Sequence, residues 1–147
     1  MIKILFLCHG NICRSVAAEV VALNYVKTKH LEDKFLFLSR GLSNEEYGND
    51  IYPPMKDELR ANGYVFKRHF AQKVSEEEMN EFDYIFYMDG SNFNLLKWHF
   101  PEYLDKCHPL TYYLDNSPIE DPWYTDRFAF VLDKIIKATE AIIENLK

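Results

Sequence analysis

A cysteine and an arginine near the start of the chain are separated by five residues that include a glycine and an asparagine. Cys8 ends the apolar run that starts at Ile2, and Arg14 opens a stretch with helical spacing. A strand, a tight loop and a helix start in that order wrap backbone N–H groups around one point, where the helix dipole also favours negative charge. Such surroundings favour the thiolate form of a cysteine. Cys8 is therefore a candidate nucleophile, and Arg14 a candidate clamp for a tetrahedral oxyanion.

The loop between these two residues would bind the oxyanion through its backbone N–H groups. Gly10 and Asn11 tolerate the positive φ expected in such a loop, although an ordinary turn would use them as well. Ser15 is predicted to cap the next helix and to donate a hydrogen bond to the Cys8 thiolate. The Cys8 and Arg14 spacing alone arises often by chance, so the interpretation depends on the strand before the loop and the helix after it. The predicted phosphate-binding residues are His9, Gly10, Asn11, Ile12, Cys13 and Ser15.

The order of the elements indicates an α/β fold. Strands are predicted at residues 2–7, 34–39, 83–88 and 107–110, helices at 15–29, 53–60, 91–100 and from 128 onward, and a loop at 116–123. This alternation predicts a three-layer α/β/α sandwich with a central four-stranded parallel sheet and the phosphate loop after the first strand. Ligands of such sheets bind beyond the carboxyl ends of the strands, where Cys8, Ser39 and Asp89 would lie at one edge.

Composition and charge exclude several classes of protein. A chain of 147 residues with 48% hydrophobic and 27% charged residues suffices for one domain, taken as 1–147, with its own core. The net charge of −6 and the lack of a basic cluster argue against nucleic acid or an acidic membrane as a partner. No apolar run approaches the ~20 residues of a membrane span, and no signal peptide is recognised. Three cysteines without a disulfide framework indicate a reducing compartment, so we expect a cytoplasmic protein. We also expect it to be a monomer.

The stretch from Cys8 to Ser15 resembles the phosphate loop of the low-molecular-weight protein tyrosine phosphatases, and the resemblance extends over nearly the whole chain. Asp121, in Glu-Asp-Pro-Trp-Tyr, resembles the general acid of that family. Asp-Pro alone is more often a turn signal, but an Asp before Pro is held extended in a loop that can approach the site. The resemblance implies that Asp121 protonates the leaving group and later activates the hydrolytic water.

The resemblance also implies residues that brace the loop. Ser39 and His69 resemble the serine and the buried histidine that the family pairs with the loop asparagine, here Asn11. Asp89, in Met-Asp-Gly-Ser-Asn, resembles the segment that lies near the arginine. Three positions depart from the family pattern, namely Val16 in place of proline, Arg40 in place of a small residue and Gln72 in place of arginine.

An aryl phosphate requires flat apolar walls. Trp123 and Tyr124 follow the acid at the right spacing, although core packing would explain Trp123 equally well. In the family, an aromatic side chain from the loop after the second strand commonly faces these residues. Glu45 occupies that place here, and Tyr47 lies nearby. An acidic side of the cleft would favour basic flanks on a peptide substrate.

Two residues of the loop bear on substrate and redox chemistry. Relatives that hydrolyse phosphoarginine carry Thr at the position of Ile12, so the apolar side chain favours aryl phosphates. Cys13 either packs as a small apolar side chain or captures an oxidised Cys8 as a reversible disulfide, and the second role is the preferred interpretation. Cys107 is predicted to be structural. No His, Cys or carboxylate spacing indicates a metal site, and no cofactor is expected.

The leading hypothesis is a protein-tyrosine-phosphatase that acts through a cysteinyl-phosphate, with Cys8 as nucleophile, Arg14 as clamp and Asp121 as general acid and base. Its partners would be tyrosine-phosphorylated proteins or peptides as substrates, and inorganic phosphate or other oxyanions as inhibitors. A phosphoarginine phosphatase is one alternative. An arsenate reductase shares the fold but needs further cysteines after the third strand, and none occurs between Asp83 and Lys106. A non-catalytic phosphate-binding module would need neither thiolate nor acid.

Overall fold

The computed structural model describes residues 1–147. Its strands are β1 (Ile2–Cys8), β2 (Phe35–Gly41), β3 (Tyr84–Tyr87) and β4 (Cys107–Pro109). Its α-helices are α1 (Arg14–Thr28), α2 (Pro53–Ala61), α3 (Glu76–Glu81), α4 (Gly90–His99), α5 (Pro122–Thr125) and α6 (Phe128–Leu146), and a 3₁₀ helix spans Pro101–Lys106. None of the helices combines the length and the apolar character needed to cross a membrane.

Four parallel strands form one sheet in the order β2-β1-β3-β4, with helices on both faces. The predicted α/β fold with a four-stranded parallel sheet is confirmed. β1 lies between two neighbours and pairs with β2 along its whole length, which places Cys8 opposite Gly41. Because the strands are parallel, their carboxyl ends share one edge, and β1 reaches that edge at Cys8.

The alternating side chains of β1 enter two separate cores. Ile4 and Phe6 face the larger core, which helices α1, α2 and α6 cover, whereas Leu5 and Leu7 face a smaller core covered by α3 and α4. All four side chains are fully buried, and burying each one stabilises the fold by about 1.5–3 kcal/mol. A shift of one residue would exchange the two faces, so β1 is fixed in register and the loop after Cys8 starts at a defined point.

Some elements differ from the prediction. Helix α1 begins at Arg14 with Cys13 as its N-cap residue, so the predicted cap by Ser15 is wrong, because that hydroxyl turns towards Cys8 instead. β2 continues to Gly41, beyond its predicted end. Helix α5 lies partly in the segment predicted as loop. Helix α3 was not predicted, because six residues with one buried side chain, Met79, are too few to show a period.

Candidate active site

In the loop between β1 and α1, two backbone carbonyl groups accept hydrogen bonds from N–H groups of the segment after β2. The Leu42 N–H donates to the His9 carbonyl at 3.0 Å, and the Tyr52 N–H donates to the Ile12 carbonyl at 2.7 Å. In contrast, the backbone N–H groups of residues 9–15 have no acceptor within the protein. Hydrogen bonds from the segment after β2 thus use carbonyl groups of the loop, and the N–H groups of the loop remain available to bind an anion.

Asn11 organises the inside of this loop. It adopts a left-handed conformation with φ of 63°. Its side-chain Nδ2 donates to the hydroxyls of Ser15 at 3.0 Å and Ser39 at 3.1 Å, and its Oδ1 accepts the Gln72 N–H at 3.0 Å. The backbone of Gln72 makes this contact, so the departure from arginine at that position does not alter it. His69 Nε2 lies 2.6 Å from the Asn11 carbonyl.

The His69 ring acts as a hydrogen-bond donor, because the Asn11 carbonyl can only accept. Burial lowers the pKa of His69 below its ordinary value, even though the bond to Asn11 opposes the shift. A neutral ring with its proton on Nε2 satisfies both observations. The predicted bracing set of Ser39, His69 and Asn11 is therefore brought together around one residue of the loop.

The glycine that shapes the loop is Gly41 on β2, and Gly10 within the loop does not adopt the positive φ expected of it. Asn11 takes the positive φ, whereas Gly10 does not. The close approach occurs at Gly41, where an added Cβ would lie 3.1 Å from the His9 carbonyl oxygen and 3.2 Å from Asn11 Cβ. A side chain at Gly41 would push the loop away from β2, so this glycine helps to set the shape of the loop.

Cys8 lies at the floor of a cleft of about 350 Å³ that the loop lines. Its side chain is buried, and Sγ lies 3.0 Å from Ser15 Oγ. Since Ser15 accepts a hydrogen bond from Asn11 Nδ2, its own proton is available for the sulfur. The sulfur also lies at the N-terminus of α1 beside Arg14. A hydroxyl, the N-terminus of a helix and a guanidinium thus surround the sulfur.

Arg14 is the first residue of α1 and is buried. Its Nη1 donates to Asp89 Oδ2 at 2.7 Å and to the Ile119 carbonyl at 2.8 Å. Burial alone would lower the pKa of Arg14, but the charges of Cys8 and Asp89 raise it above its ordinary value. Both hydrogen bonds use Nη1, whereas Nε and Nη2 make none within the protein, and Nη2 has only Asp121 Oδ2 nearby, at 3.4 Å. The edge formed by Nε and Nη2 can bind two phosphoryl oxygens at once.

Two carboxylates face Arg14 from different segments. Asp89 caps α4 by accepting the Asn92 N–H at 2.9 Å, and it also accepts from Arg14. Burial would raise the pKa of Asp89, but these bonds hold it below its ordinary value. Asp121 has extended backbone before Pro122, as predicted, and its Oδ2 lies 3.4 Å from Arg14 Nη2. Asp89 thus orients the guanidinium, and Asp121 lies at the edge of the cleft.

The walls of the cleft have two different characters. Tyr52 and Trp123 pack with ring centroids 4.9 Å apart, and Trp123 is exposed rather than part of the core. On the acidic side, Glu45 Oε2 lies 3.2 Å from His9 Nε2. The residues that line the cleft are Cys8, His9, Gly10, Ile12, Cys13, Arg14, Glu45, Glu46, Tyr52, Asp121, Trp123 and Tyr124.

The cleft lining includes Tyr52 and Glu46, which the sequence prediction did not name, and does not include Tyr47, which it did. Glu46 packs beside Gly10, and its neighbour Tyr47 points into solvent with 71% of its surface exposed, outside the cleft. Tyr52 reaches the site because its N–H binds the Ile12 carbonyl. The available signal for Tyr52 was its position as an aromatic residue directly before Pro53 and Pro54, which open α2 at the end of the segment after β2.

All three cysteines are free. Burial, together with the charge of Cys8, raises the pKa of Cys13 well above its ordinary value, although Cys13 lines the cleft. Cys107 lies in the smaller core, where burial raises its pKa to about 12 and its Sγ contacts the Tyr103 carbonyl at 3.3 Å. Cys107 therefore packs as an inert side chain. No group of three or more His, Cys, Asp or Glu side chains could hold a metal ion.

The parallel α/β sheet and the buried thiol beneath a loop of free N–H groups form an arrangement that is suited to bind an oxyanion. The family model described as low molecular weight phosphotyrosine protein phosphatase matches residues 3–147. The chain belongs to this family, and the predicted family is confirmed.

Individual relatives agree over their full lengths. The low molecular weight protein-tyrosine-phosphatase YfkJ of Bacillus subtilis is 32% identical, covering 100% of this chain and 97% of the relative. The low molecular weight phosphotyrosine protein phosphatase of Gallus gallus is also 32% identical, covering 97% and 94%. Among solved structures, that of YfkJ superposes with a TM-score of 0.94 over 99% of this chain and 94% of its own. The protein tyrosine phosphatase of Entamoeba histolytica superposes with 0.90 at 30% identity, covering 99% and 97%.

Proposed function

We propose that the protein hydrolyses phosphotyrosine and related aryl phosphate monoesters through a Cys8-phosphate intermediate. One observation supports this most directly: the N–H groups of residues 9–15 have no acceptor within the protein, and the loop lines the same cleft as Cys8. A phosphoryl group in transfer spreads its charge over three equatorial oxygens, and preorganised donors stabilise that charge. The open Nε and Nη2 edge of Arg14 adds two further charged donors.

The first step transfers the phosphoryl group to sulfur. The Cys8 thiolate attacks phosphorus, the bond from phosphorus to the phenolic oxygen breaks, and its electron pair goes to that oxygen. The protonated Asp121 carboxyl gives its proton to the departing phenolate. Asp121 suits this role because its Oδ1 accepts the Trp123 N–H at 3.1 Å, while its Oδ2 lies 3.4 Å from Arg14 Nη2, beside the edge proposed to bind the phosphoryl group.

The second step reverses the roles. A water molecule attacks the phosphorus of the cysteinyl-phosphate while the Asp121 carboxylate takes its proton. The bond between sulfur and phosphorus breaks, and Ser15 is positioned to stabilise the returning thiolate. Inorganic phosphate leaves, and because it fits the same donors it should act as a competitive inhibitor.

The cleft favours an aryl group next to the phosphate. Tyr52 and Trp123 supply flat surfaces, and Ile12 adds an apolar side chain beside the loop. Relatives at about 30% identity have names that describe protein-tyrosine-phosphatases, which supports phosphotyrosine proteins as substrates. The structure of the arginine phosphatase YwlE superposes with a TM-score of 0.87 at 22% identity, which shows a shared fold only. Phosphoarginine is therefore the second substrate to be tested.

The nucleophile can be tested by Cys8→Ser. We expect this variant to lose p-nitrophenyl phosphate turnover while still binding inorganic phosphate, because the N–H groups and Arg14 remain. Cys107→Ser is the matched control, since it changes a buried thiol outside the cleft and should keep turnover. Release of p-nitrophenol and calorimetric phosphate titration measure the two properties. Retained turnover in Cys8→Ser would rule out the cysteinyl-phosphate.

Substrate class can be tested with the wild-type protein. Phosphate release from matched phosphotyrosine, phosphoserine and phosphoarginine peptides should be fastest by far for phosphotyrosine, and arsenate reduction should be absent. Faster release from phosphoarginine would instead assign the protein to the second substrate. Reduction of arsenate at a comparable rate would replace hydrolysis with the oxidoreductase alternative.

A further inference from the structure

One ion pair joins the two ends of residues 120–127, here called the acid segment because it carries Asp121. Arg127 Nε donates to Glu120 Oε2 at 3.1 Å, and Arg127 Nη2 donates to Glu120 Oε1 at 3.0 Å. This is a bidentate contact, which fixes direction as well as distance. The guanidinium carbon also lies 3.9 Å from the centroid of the exposed Phe130 ring. The ring therefore supports the flat face of the guanidinium and restricts its orientation.

The chain is anchored on both sides of the acid segment. The Ile119 N–H and carbonyl each make a hydrogen bond of 2.8 Å, and Phe128 is buried in the larger core. Between these anchors, the backbone N–H groups of the acid segment donate only to acceptors within the segment. Glu120 and Arg127 are its first and last residues, so the contact between their side chains closes its base.

Apolar contacts also hold the acid segment, but they lie beyond Asp121. Pro122 is buried, and the Trp123 ring packs against Tyr52 with centroids 4.9 Å apart. Such contacts are not directional, so they allow the segment to rotate. Glu120 directly precedes Asp121, and its contact with Arg127 opposes that rotation. A proton donor must lie within hydrogen-bond reach of its acceptor, so a small displacement of Asp121 lowers the rate.

We propose that Arg127 is a positioning residue for the general acid: its contact with Glu120 closes the base of the acid segment and so holds Asp121 at the cleft. Neither Arg127 nor Glu120 lines the cleft itself. Phe130 belongs to neither core, and its support of the guanidinium gives this exposed ring a role. The inference rests on the proposed function in taking Asp121 as the acid.

The direction of the rate change separates positioning from a charge effect. A positive charge favours the ionised form of a nearby carboxyl group. If Arg127 acted on Asp121 only through its charge, removing that charge would leave the acid protonated more often and raise the rate at alkaline pH. A positioning role predicts the opposite result, a lower rate across the whole pH range.

The test is Arg127→Gln, with Arg127→Lys as a second variant that keeps the charge but cannot form the bidentate contact. In Arg127→Gln, we expect kcat/KM to fall roughly 3- to 10-fold for p-nitrophenyl phosphate and roughly 10- to 30-fold for phenyl phosphate, whose leaving group needs the proton more. Arg127→Lys should lie between Arg127→Gln and wild type. The inhibition constant of inorganic phosphate should not change, because the phosphate loop is intact. The melting temperature should change little, since the ion pair is partly exposed.

Trp123 provides a measurement that does not require turnover. The chain has two tryptophans, and the other one, Trp98, is exposed on α4. In a Trp98→Phe background, the fluorescence anisotropy of Trp123 reports the motion of the acid segment. We expect Arg127→Gln to lower this anisotropy. If the wild-type protein hydrolysed no aryl phosphate, the proposed function would fail, whereas the anisotropy would still show whether Arg127 holds the segment.

Two controls complete the test. Lys137→Gln removes the exposed ion pair with Asp133, which lies further along α6, so its kcat/KM should stay at the wild-type value. In an Asp121→Asn background, Arg127→Gln should cause no further loss for phenyl phosphate, because no acid remains to be placed. Unchanged rates or unchanged anisotropy in Arg127→Gln would overturn the proposal. Equal losses for the two esters, a rise in rate at alkaline pH, or a further loss without the acid would overturn it as well.

Discussion

The floor and the mouth of the cleft are built in different ways. At the floor, Cys8, Asn11 and Arg14 are buried, and short hydrogen bonds to four separate segments hold them. At the mouth, Glu45 and Trp123 are exposed side chains with few polar contacts. A buried network fixes one geometry, because breaking any member leaves a polar group without a partner. The exposed mouth has no such constraint, so its residues can vary without loss of the chemistry below.

This difference predicts how substitutions should behave. Changes at the floor should alter the rate for every substrate, together with stability where a charged contact is lost. Changes at the mouth should alter the choice among substrates and leave stability nearly intact. Each of the following experiments tests one side of that division.

The largest effect after loss of the nucleophile is expected for Asp121→Asn, because an amide cannot give up a proton to the leaving group. We expect kcat to fall by roughly 10²- to 10⁴-fold, the usual contribution of general acid catalysis. The loss should be smallest for phenolates that leave easily, such as p-nitrophenolate, and larger for tyrosine-like phenols. Rates for a series of substituted phenyl phosphates measure this dependence. A uniform loss across the series would mean that another group is the acid.

A smaller effect is expected for Asp89→Asn, which weakens the contact that orients Arg14. A hydrogen bond between charged groups contributes about 1.5–3 kcal/mol, and the variant should lose stability of this order at neutral pH. Because the folded pKa of Asp89 lies below its ordinary value, its contribution is present above the unfolded pKa of ~3.9 and is lost as pH falls through the folded pKa. Urea unfolding at several pH values should therefore show wild type and variant converging in acid. A gap that persists unchanged at low pH would contradict this origin of the stability.

The division between floor and mouth also decides what could be predicted from the sequence. The floor was predictable because Cys8, Arg14 and the residues between them are contiguous, and the apolar run before them marks a buried strand. Asp121 could be placed through the resemblance, and its position before a proline explains its extended backbone.

The mouth was predicted less well, because it is assembled from segments far apart in the chain. Tyr52 reaches the cleft through a backbone contact with the loop, whereas Glu46 packs beside Gly10 and its neighbour Tyr47 is exposed outside the cleft. The position of Tyr52 directly before Pro53 and Pro54 is the one local signal, and the sequence has none for the exposure of Tyr47. The direction of the Ser15 hydroxyl is a third case, since a serine before a helix predicts a cap, and only the tertiary contact with Cys8 overrides it.

The smallest effect, and the sharpest test of the mouth, is expected for Glu45→Lys. Glu45 contacts only His9 with its side chain, at an exposed position, and such pairs contribute about 0.2–1 kcal/mol. Stability should change little for that reason. We expect the carboxylate to attract Lys-flanked phosphotyrosine peptides, so the substitution should reverse the preference between Lys-flanked and Glu-flanked peptides.

The measurement is the ratio of kcat/KM for the two peptides, because a ratio cancels any general attraction of phosphate to the added lysine. We expect wild type to prefer the Lys-flanked peptide roughly 2- to 5-fold and Glu45→Lys to prefer the Glu-flanked peptide by a similar factor, in keeping with the energy of exposed pairs. Both preferences should shrink as salt is added. Glu102→Lys is the matched control: it makes the same charge change on the exposed 3₁₀ helix before β4, at the amino edge of the sheet opposite the cleft, and should leave the ratio unchanged. An unchanged ratio in Glu45→Lys would remove this residue from substrate selection and leave the aromatic wall of Tyr52 and Trp123 as the source of any selectivity at the mouth.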